Sequence, residues 1–535
     1  MQDQPLAAAR NRNLQALGRL PHAHTLAATM LVTTIWATPA SAHVTLVPLG
    51  SFASGTFDAS AAEVVAHDAH TQRLFVTNFE AATLDVLDIA HPNTPYLEFQ
   101  IDLTPFGDHA NSVAVRRGLV AVAIEPEDPQ APGLAVFFSA DGVFLNQVTV
   151  GAMPDMLTFT PDGRRVIVAN EGEPNDDYTV DPQGSVSVID LRHGVGRLNV
   201  RTANFNAFNN GSIDPAVRIF GPGATVAQDL EPEYVSVSSN SRWAWITLQE
   251  NNAMALLDVR RAKIRNVWPL GFKNHALEGN ALDPSNKDKA ISIANWPVEG
   301  MYQPDEIATY RHHGHNYVVM ANEGDARDYE GYSEESRVKD LSLDPDSFPG
   351  AAQLQDSSAL GRLKVTLAGG DLDNDGDYDK LYSYGARSFS IRSWNGRLIY
   401  DSGDDFAQII AMESPDDFNS NNDENDSFDA RSDDKGTEPE ALTLARLWGR
   451  DYAFIGLERQ GGIMIYDISN PHDPEFVDYV TTRDFAGNAE LGTSGDLGPE
   501  TLLFINRWHS PNHRPLLVSA NEVSGTTTIF EIVRS

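Results

Sequence analysis

The sequence predicts an all-β fold, a seven-bladed β-propeller with an insertion in the fifth blade. Three observations carry that expectation: one unit recurs along the chain, each copy contains short strand patterns divided by turn signals, and the copies number seven. The unit opens Pro-acid-apolar, runs as two β-patterned stretches, and closes the second with Glu. Five copies show it plainly: Pro154-Asp155 with 166–171, Pro232-Glu233 with 244–250, Pro304-Asp305 with 318–323, Pro439-Glu440 with 453–458, and Pro499-Glu500 with 517–522. Two are weaker. Glu63 with 75–80 lacks the proline, and Asn111 with 120–125 has lost the first acid.

A third strand pattern follows most copies, at 84–89, 185–190, 253–258, 463–468 and 528–532, and a fourth often appears, as at 267–270. Four short antiparallel strands with Asp162-Gly163 and Asn395-Gly396 turns describe a propeller blade. The fifth copy is interrupted: 384–391 and 397–401 read as its outer strands, displaced by an insertion of about 330–380. The seventh runs out near Ser535, so 43–52 is expected to supply its missing strand and close the ring, which removes two exposed sheet edges.

Composition narrows the function. The chain has 535 residues, 41% hydrophobic and 21% charged, enough for a folded core. Lys+Arg total 39 against 75 Asp+Glu, a formal charge of −36, which works against nucleic acid or anionic lipid and makes cations the natural partner. Cysteine is absent, so disulfides, thiolate zinc sites, iron–sulfur clusters and thiol nucleophiles are excluded. No P-loop, dinucleotide fingerprint, Gly-x-Ser-x-Gly elbow or His-Glu-x-x-His motif is present.

Residues 1–42 read as a cleaved signal peptide: Arg10, Arg12 and Arg19 precede an apolar stretch at 26–36 and then Ala40-Ser41-Ala42. The expected mature chain is one domain, 43–535, secreted or periplasmic. No later segment approaches the ~18 apolar residues that a membrane span requires.

Antiparallel pairing puts the start of each first strand beside the end of the second. Glu63, Asp155, Glu233, Asp305, Glu440 and Glu500 are therefore expected at one mouth of the channel, next to Glu80, Glu125, Glu171, Glu250, Glu323, Glu458 and Glu522. Such crowding of like charge destabilises a fold unless cations or donors neutralise it. Arg327, Arg387, Lys435 and Arg459 are too few for thirteen acids, so one or more divalent ions are expected there. Acids that repeat in every unit also suit a structural role, accepting N–H bonds from neighbouring turns.

In the insertion, Asp371, Asp373, Asp375, Asp377 and Asp379 alternate around Gly376 as in an EF-hand-type calcium loop, although Tyr382 stands at the twelfth position where Glu would close a full EF-hand. A second acidic tract, 416–426, lacks ligand periodicity and reads as a mobile loop without metal. His312, His313 and His315 fall on a turn at the opposite rim. Trp243, Trp245, Trp268, Trp296 and Phe389 read as core between sheets.

The motifs at 169–174, 248–252, 321–329, 385–391, 431–436, 457–459 and 521–525, among them Ala321-Asn-Glu-Gly-Asp-Ala-Arg-Asp-Tyr329 and Arg431-Ser-Asp-Asp-Lys-Gly436, resemble the choice-of-anchor I family of exported proteins. That family is similar to mesenchyme-specific cell surface glycoproteins, and some relatives are described as atypical alkaline phosphatases. Unlike anchored relatives, the sequence reaches Ser535 without a sorting signal or hydrophobic tail. The resemblance implies a phosphoesterase, and with the crowded acids it makes a metal-dependent one the expectation: calcium, with calcium or another hard divalent ion as a second metal held by the carboxylates of the mouth. Glu171, Glu250, Glu323, Asp325, Glu440 and Glu458 would serve as ligands or bases, and Arg327, Arg387 and Arg459 would hold phosphate. The rival expectation is a non-catalytic calcium-binding surface or matrix protein.

Overall fold

The computed structural model describes residues 43–535; the signal-peptide expectation for 1–42 lies outside the described residues. The described chain is all-β with few helices, the longest being Asp405–Glu413. It forms seven four-stranded antiparallel sheets. The first holds Val65–Asp68, Arg73–Asn78, Thr83–Asp88 and Tyr96–Asp102, the second His109–Arg116, Leu119–Glu125, Pro132–Ser139 and Phe144–Ala152. The third comprises Pro154–Phe159, Arg165–Asn170, Ser185–Asp190 and Asn199–Asn204, the fourth Val235–Val237, Trp243–Leu248, Ala253–Asp258 and Lys263–Pro269. The fifth joins Ile307–His312 and His315–Asn322 to the distant Ser388–Ser393 and Leu398–Asp401. The sixth is Pro439–Leu447, Arg450–Leu457, Ile463–Asp467 and Glu475–Val480. In the seventh, Pro499–Ile505, Leu516–Asn521 and Thr526–Arg534 are completed by Val44–Ala53, with Val44 opposite Arg534.

The first strands touch in cyclic order, Val65–Asp68 meeting both His109–Arg116 and Pro499–Ile505. A separate apolar cluster fills the gap between each neighbouring pair of sheets. Phe75 and Phe138 pack between the first and second, Phe137 and Val166 between the second and third, and Val188 and Ile246 between the third and fourth. Trp245 and Met320 continue the series, followed by Phe389 with Ile455, Phe454 with Phe530, and Leu74 with Val518. The arrangement is propeller-like. Because a sheet covered on both faces needs apolar residues on both, strands such as Arg165–Asn170 and Ser185–Asp190 are buried at every position instead of alternating.

Between His315–Asn322 and Ser388–Ser393 the chain makes Glu335–Arg337, Lys364–Thr366 and Tyr382–Ser383. These join Phe272–Asn274 and Glu299–Met301, from the connection before the fifth sheet, in a five-stranded sheet of mixed direction. Its own core includes Val298, Phe348, Leu360 and Val365, with Trp296 packed against it. The partner segment at 272–301 is not anticipated from sequence, since its strands are three residues long and carry no readable period.

Leu46, 4% exposed in the gap between the sixth and seventh sheets, tests the seam between the two ends of the described chain. Leu46→Ala is expected to lower the unfolding free energy by about 2–5 kcal/mol, as for an interior residue. Denaturant unfolding measures it, and a change near zero would show that the seam strand adds nothing.

Candidate functional site

The backbone delivers the repeated acids to one rim. Pro154 lies opposite Asn170, Pro439 opposite Leu457 and Pro499 opposite Asn521, so each Pro-acid start sits beside the Glu that follows the second strand. In these three sheets the register shifts directly after the proline, and such bulges re-aim a side chain at a rim. The residue before the proline is left-handed in four copies: Met153 (φ 44°), Gln303 (φ 38°), Glu438 (φ 51°) and Gly498 (φ 66°). For an L-residue that conformation costs about 1–2 kcal/mol. It turns a carbonyl to the second strand, where Met153 accepts from Glu171 N–H at 2.8 Å, Glu438 from Glu458 at 2.8 Å and Gly498 from Glu522 at 2.8 Å. The buried Asn170 and Asn521 lock the same corner, each donating Nδ2 to a carbonyl of the third strand.

The result is a mouth cavity of about 400 Å³ lined by ten carboxylates: Asp155, Glu171, Glu233, Asp305, Glu323, Asp325, Glu440, Glu458, Glu500 and Glu522. Gln249, Lys435 and Arg459 are the other lining residues. Carboxylate oxygens converge within 4.8 Å in three groups, Glu171–Glu233–Glu250, Asp305–Glu440–Glu500 and Glu323–Glu440–Glu458, with Glu440 shared by two. Glu233 Oε2, Glu250 Oε2 and Glu440 Oε2 are buried without a hydrogen-bond partner. Burial, then the neighbouring charges, pushes Asp155 up to about 7 and Asp305 up to about 8. Burial likewise raises Glu250 to about 8 and Asp325 to about 7, and holds Glu171, Glu233, Glu440, Glu458 and Glu500 well above the usual carboxylate range.

One side of the mouth has built-in positive charge. Lys435 Nζ donates to Glu323 and, at 3.0 Å, to Glu438; Arg459 pairs with Glu458 at 3.1 Å and Glu438 at 3.3 Å. Burial alone would raise Glu438, but Lys435, Arg431 and Arg459 outweigh it and hold this carboxyl far below its ordinary value. Gln249 Nε2 donates to Glu323 at 2.9 Å, and Asn422 Nδ2 to Glu458 at 3.0 Å. The Glu171–Glu233–Glu250 side has no comparable cation in contact among the described residues.

The structure brings Glu171, Glu323, Asp325, Glu440, Glu458 and Arg459 to this mouth and groups Glu250 with Glu171 and Glu233 outside its lining, but it does not bring the other two arginines there. Arg327, 1% exposed, pairs with Asp229 at 2.5 Å and Glu231 at 2.6 Å and lies over the Phe220 ring. Arg387 donates to the carbonyls of Asp283, Ser432 and Asp434 at 2.7–2.8 Å. Both guanidiniums are occupied in holding loops together. Glu80 is exposed, Glu125 accepts from Asn111 at 3.2 Å, and Glu63 lines the deeper channel. Sequence reasoning gives no individual role to Gln249, Asn422 or Glu438; Glu438 closes a mixed-charge approach to the rim, 431–438, directly before a repeat proline. The 416–426 tract is corrected from a mobile loop to a packed connection, with Phe418, Asn419, Ser420 and Asn422 buried.

In the insertion, Asp371, Asp373 and Asp379 bring oxygens within 4.8 Å of one another, whereas Asp375 and Asp377 stand outside that group. Gly376 (φ 102°) makes the sharp turn and donates to Asp371 Oδ2 at 3.1 Å. The all-oxygen donor sets here and at the mouth fit a hard cation rather than a soft one. The histidine turn lies between Ile307–His312 and His315–Asn322, at the end of the fifth sheet away from the acids.

Two outcomes follow from these environments. Carboxyls with raised pKa keep protons that the unfolded chain has released, so the folded state binds more protons and stability falls as pH rises. In chelator-treated protein the melting temperature is expected to decline from about pH 5 to about pH 8, the span from ordinary carboxyl values to those of Asp305 and Glu250. Millimolar calcium should restore more stability at pH 8 than at pH 5; a calcium-insensitive, flat profile would contradict this. Separately, Arg327→Met strands two buried carboxylates and should cost about 3–5 kcal/mol in denaturant unfolding, against a smaller loss for Arg459→Met, which is less buried.

Sequence comparison finds relatives of the chain among animal proteins. It is 34% identical to Gigasin-3a of Magallana gigas over 193 residues, 34% of this chain and 66% of that protein. It is 26% identical to the mesenchyme-specific cell surface glycoprotein of Strongylocentrotus purpuratus over 284 residues, 46% of this chain and 36% of that one. It thus spans less than two thirds of each of these relatives. Among solved structures, Kuenenia stuttgartiensis hydrazine synthase aligns with 90% of this chain and 99% of its own at 10% identity and a TM-score of 0.46. The β-propeller domain of Myceliophteria thermophila Cps50 (Swd1) aligns with 91% and 100% at 9% identity and a TM-score of 0.42. Among the described residues no helix is long and apolar enough to cross a membrane. The choice-of-anchor I domain model matches residues 63–471, most of the sequence, and the chain belongs to that family.

Proposed function

We propose that residues 43–535 form a single closed seven-bladed β-propeller with its insertion in the fifth blade, exported behind a signal peptide at 1–42, and that its acidic mouth binds divalent cations. The cyclic contacts of the first strands and the seven inter-sheet cores support the architecture. The cation reading rests above all on one observation: Glu233, Glu250 and Glu440 each bury a carboxylate oxygen that no donor meets. Calcium is the cation best suited to these oxygen donors, and a second calcium at Asp371, Asp373 and Asp379 would order the insertion.

The use we propose for the mouth is phosphoester hydrolysis. A bound hard cation would polarise a phosphoryl oxygen and make bound water a stronger acid. Lys435 and Arg459 favour this reading, since they set positive charge beside the Glu323–Glu440–Glu458 group where a phosphate would need neutralising. Glu438 fixes both cations, and Glu250, pushed up to about 8 by burial, suits the role of base near neutral pH, with Glu171 beside it as the alternative base or ligand. The rival reading, a non-catalytic calcium-binding surface or matrix protein, draws on the name of the sea urchin relative, a cell surface glycoprotein.

Assays of phosphomonoester and phosphodiester hydrolysis, with chelator and calcium add-back, separate the two. The enzyme reading expects chelator-sensitive turnover that Glu440→Gln reduces at least about tenfold, because Glu440 belongs to two of the carboxylate groups. Calcium binding by calorimetry with no turnover on either ester class would overturn hydrolysis and leave the surface role.

A further inference from the structure

The connection between the fifth and sixth sheets buries more polar side chain than its composition suggests. Asp429 is 2% exposed and no donor lies within 3.5 Å of either of its carboxylate oxygens; Asn419 is 2% exposed and its Oδ1 is equally unmet. The two are neighbours: Asp429 N–H donates to the Phe418 carbonyl at 2.7 Å, Arg431 N–H to the Asn419 carbonyl at 2.9 Å, and Asn419 Nδ2 to Ser432 Oγ at 2.8 Å. The Ser432 hydroxyl, whose oxygen accepts from Asn419, is the one weak donor near Asp429 among the described residues and favours its ionised form. The charges of Asp283 and Asp288, on the loop leading into the five-stranded sheet, and of Asp433 all act on Asp429.

The neighbouring acids are provided for. Asp433 pairs with Arg337 and Arg362, both at 2.7 Å, and Asp283 accepts the amides of Ser285 at 3.2 Å and Ser292 at 2.5 Å. Asp429 has no such partner among the described residues, and burial followed by those charges pushes it up to about 7. Lys287 and Lys289 of the facing loop are exposed. A buried carboxylate and a buried amide oxygen left without donors are each costly unless something positive meets them. All of the idle atoms are oxygens, the donor type of a hard cation, and the charge of Asp288 also acts on Asp429.

We propose that Asp429 and Asn419 hold a calcium ion between the 414–438 connection and the 283–292 loop, a site separate from the mouth and from the Asp371–Asp379 turn. The ion would fasten the segment whose Ser432 and Asp434 carbonyls hold Arg387 and whose Lys435 and Glu438 reach the mouth. Calcium at this point would set the position of Lys435 without touching any group in the mouth cavity.

Two measurements on the full chain test the site. Equilibrium dialysis of chelator-stripped protein against calcium should show one equivalent fewer bound to Asp429→Asn than to the natural sequence, and an unchanged count in a folded variant would overturn the proposal. If that variant does not fold, crystals of the natural protein grown with europium in place of calcium decide. An anomalous peak within about 2.3–2.6 Å of Asp429 and Asn419 oxygens is expected. Ordered water there, with peaks only at the mouth or the Asp371 turn, would refute the site. Because the peaks are separately located, an empty mouth would not count against it.

Discussion

Like charge gathered in a confined opening sets the terms for the rest of this molecule. Ten carboxylates face a cavity of about 400 Å³ with one lysine and one arginine among them. In that setting each acid keeps a proton, finds a donor, or shares a cation. The Glu323–Glu458 side takes the second course through Lys435, Arg459, Gln249 and Asn422, and the Glu171–Glu233–Glu250 side does not. The mouth is therefore two-sided, with a half neutralised by Lys435 and Arg459 and a half whose carboxyls burial holds above their usual range.

The fold sustains this arrangement by repetition. Left-handed residues before the repeat prolines in four sheets, and bulges directly after them in three, recur at the same corner, and five of the seven sheets aim their acids at one cavity. The energy to hold that strain comes from the apolar clusters between sheets, each built from strands buried on both faces. Asymmetry then enters through the long connections. Segment 414–438 supplies Asn422, Lys435 and Glu438, and segment 323–387 supplies Asp325 and the buried Arg327 clamp.

Much of the fold and part of the site were legible in the chain itself. The Pro-acid and terminal Glu positions mark the rim because antiparallel pairing leaves them nowhere else to go, and residues 43–52 pair with the last strand as their position in the repeat demands. Arg327 and Arg387 were misleading, since a motif rich in charge does not reveal whether a guanidinium faces a cavity or a neighbouring loop. Glu438 and Asn422 could not be found by periodicity: one precedes a repeat proline and the other sits in an acidic tract whose burial depends on sheets far away in sequence. The Phe272–Asn274 and Glu299–Met301 strands were hidden because three residues are too short to show a period.

The central claim is that protons and metal ions compete for the same crowded carboxylates. Proton release on adding calcium to chelator-stripped protein at pH 7, followed in a pH-stat, tests it most directly. Groups such as Asp155, Glu250 and Asp305, poised near or above neutrality, should give up at least about one proton for each molecule that fills. Calcium uptake with no proton released, or no uptake at all, would contradict the account.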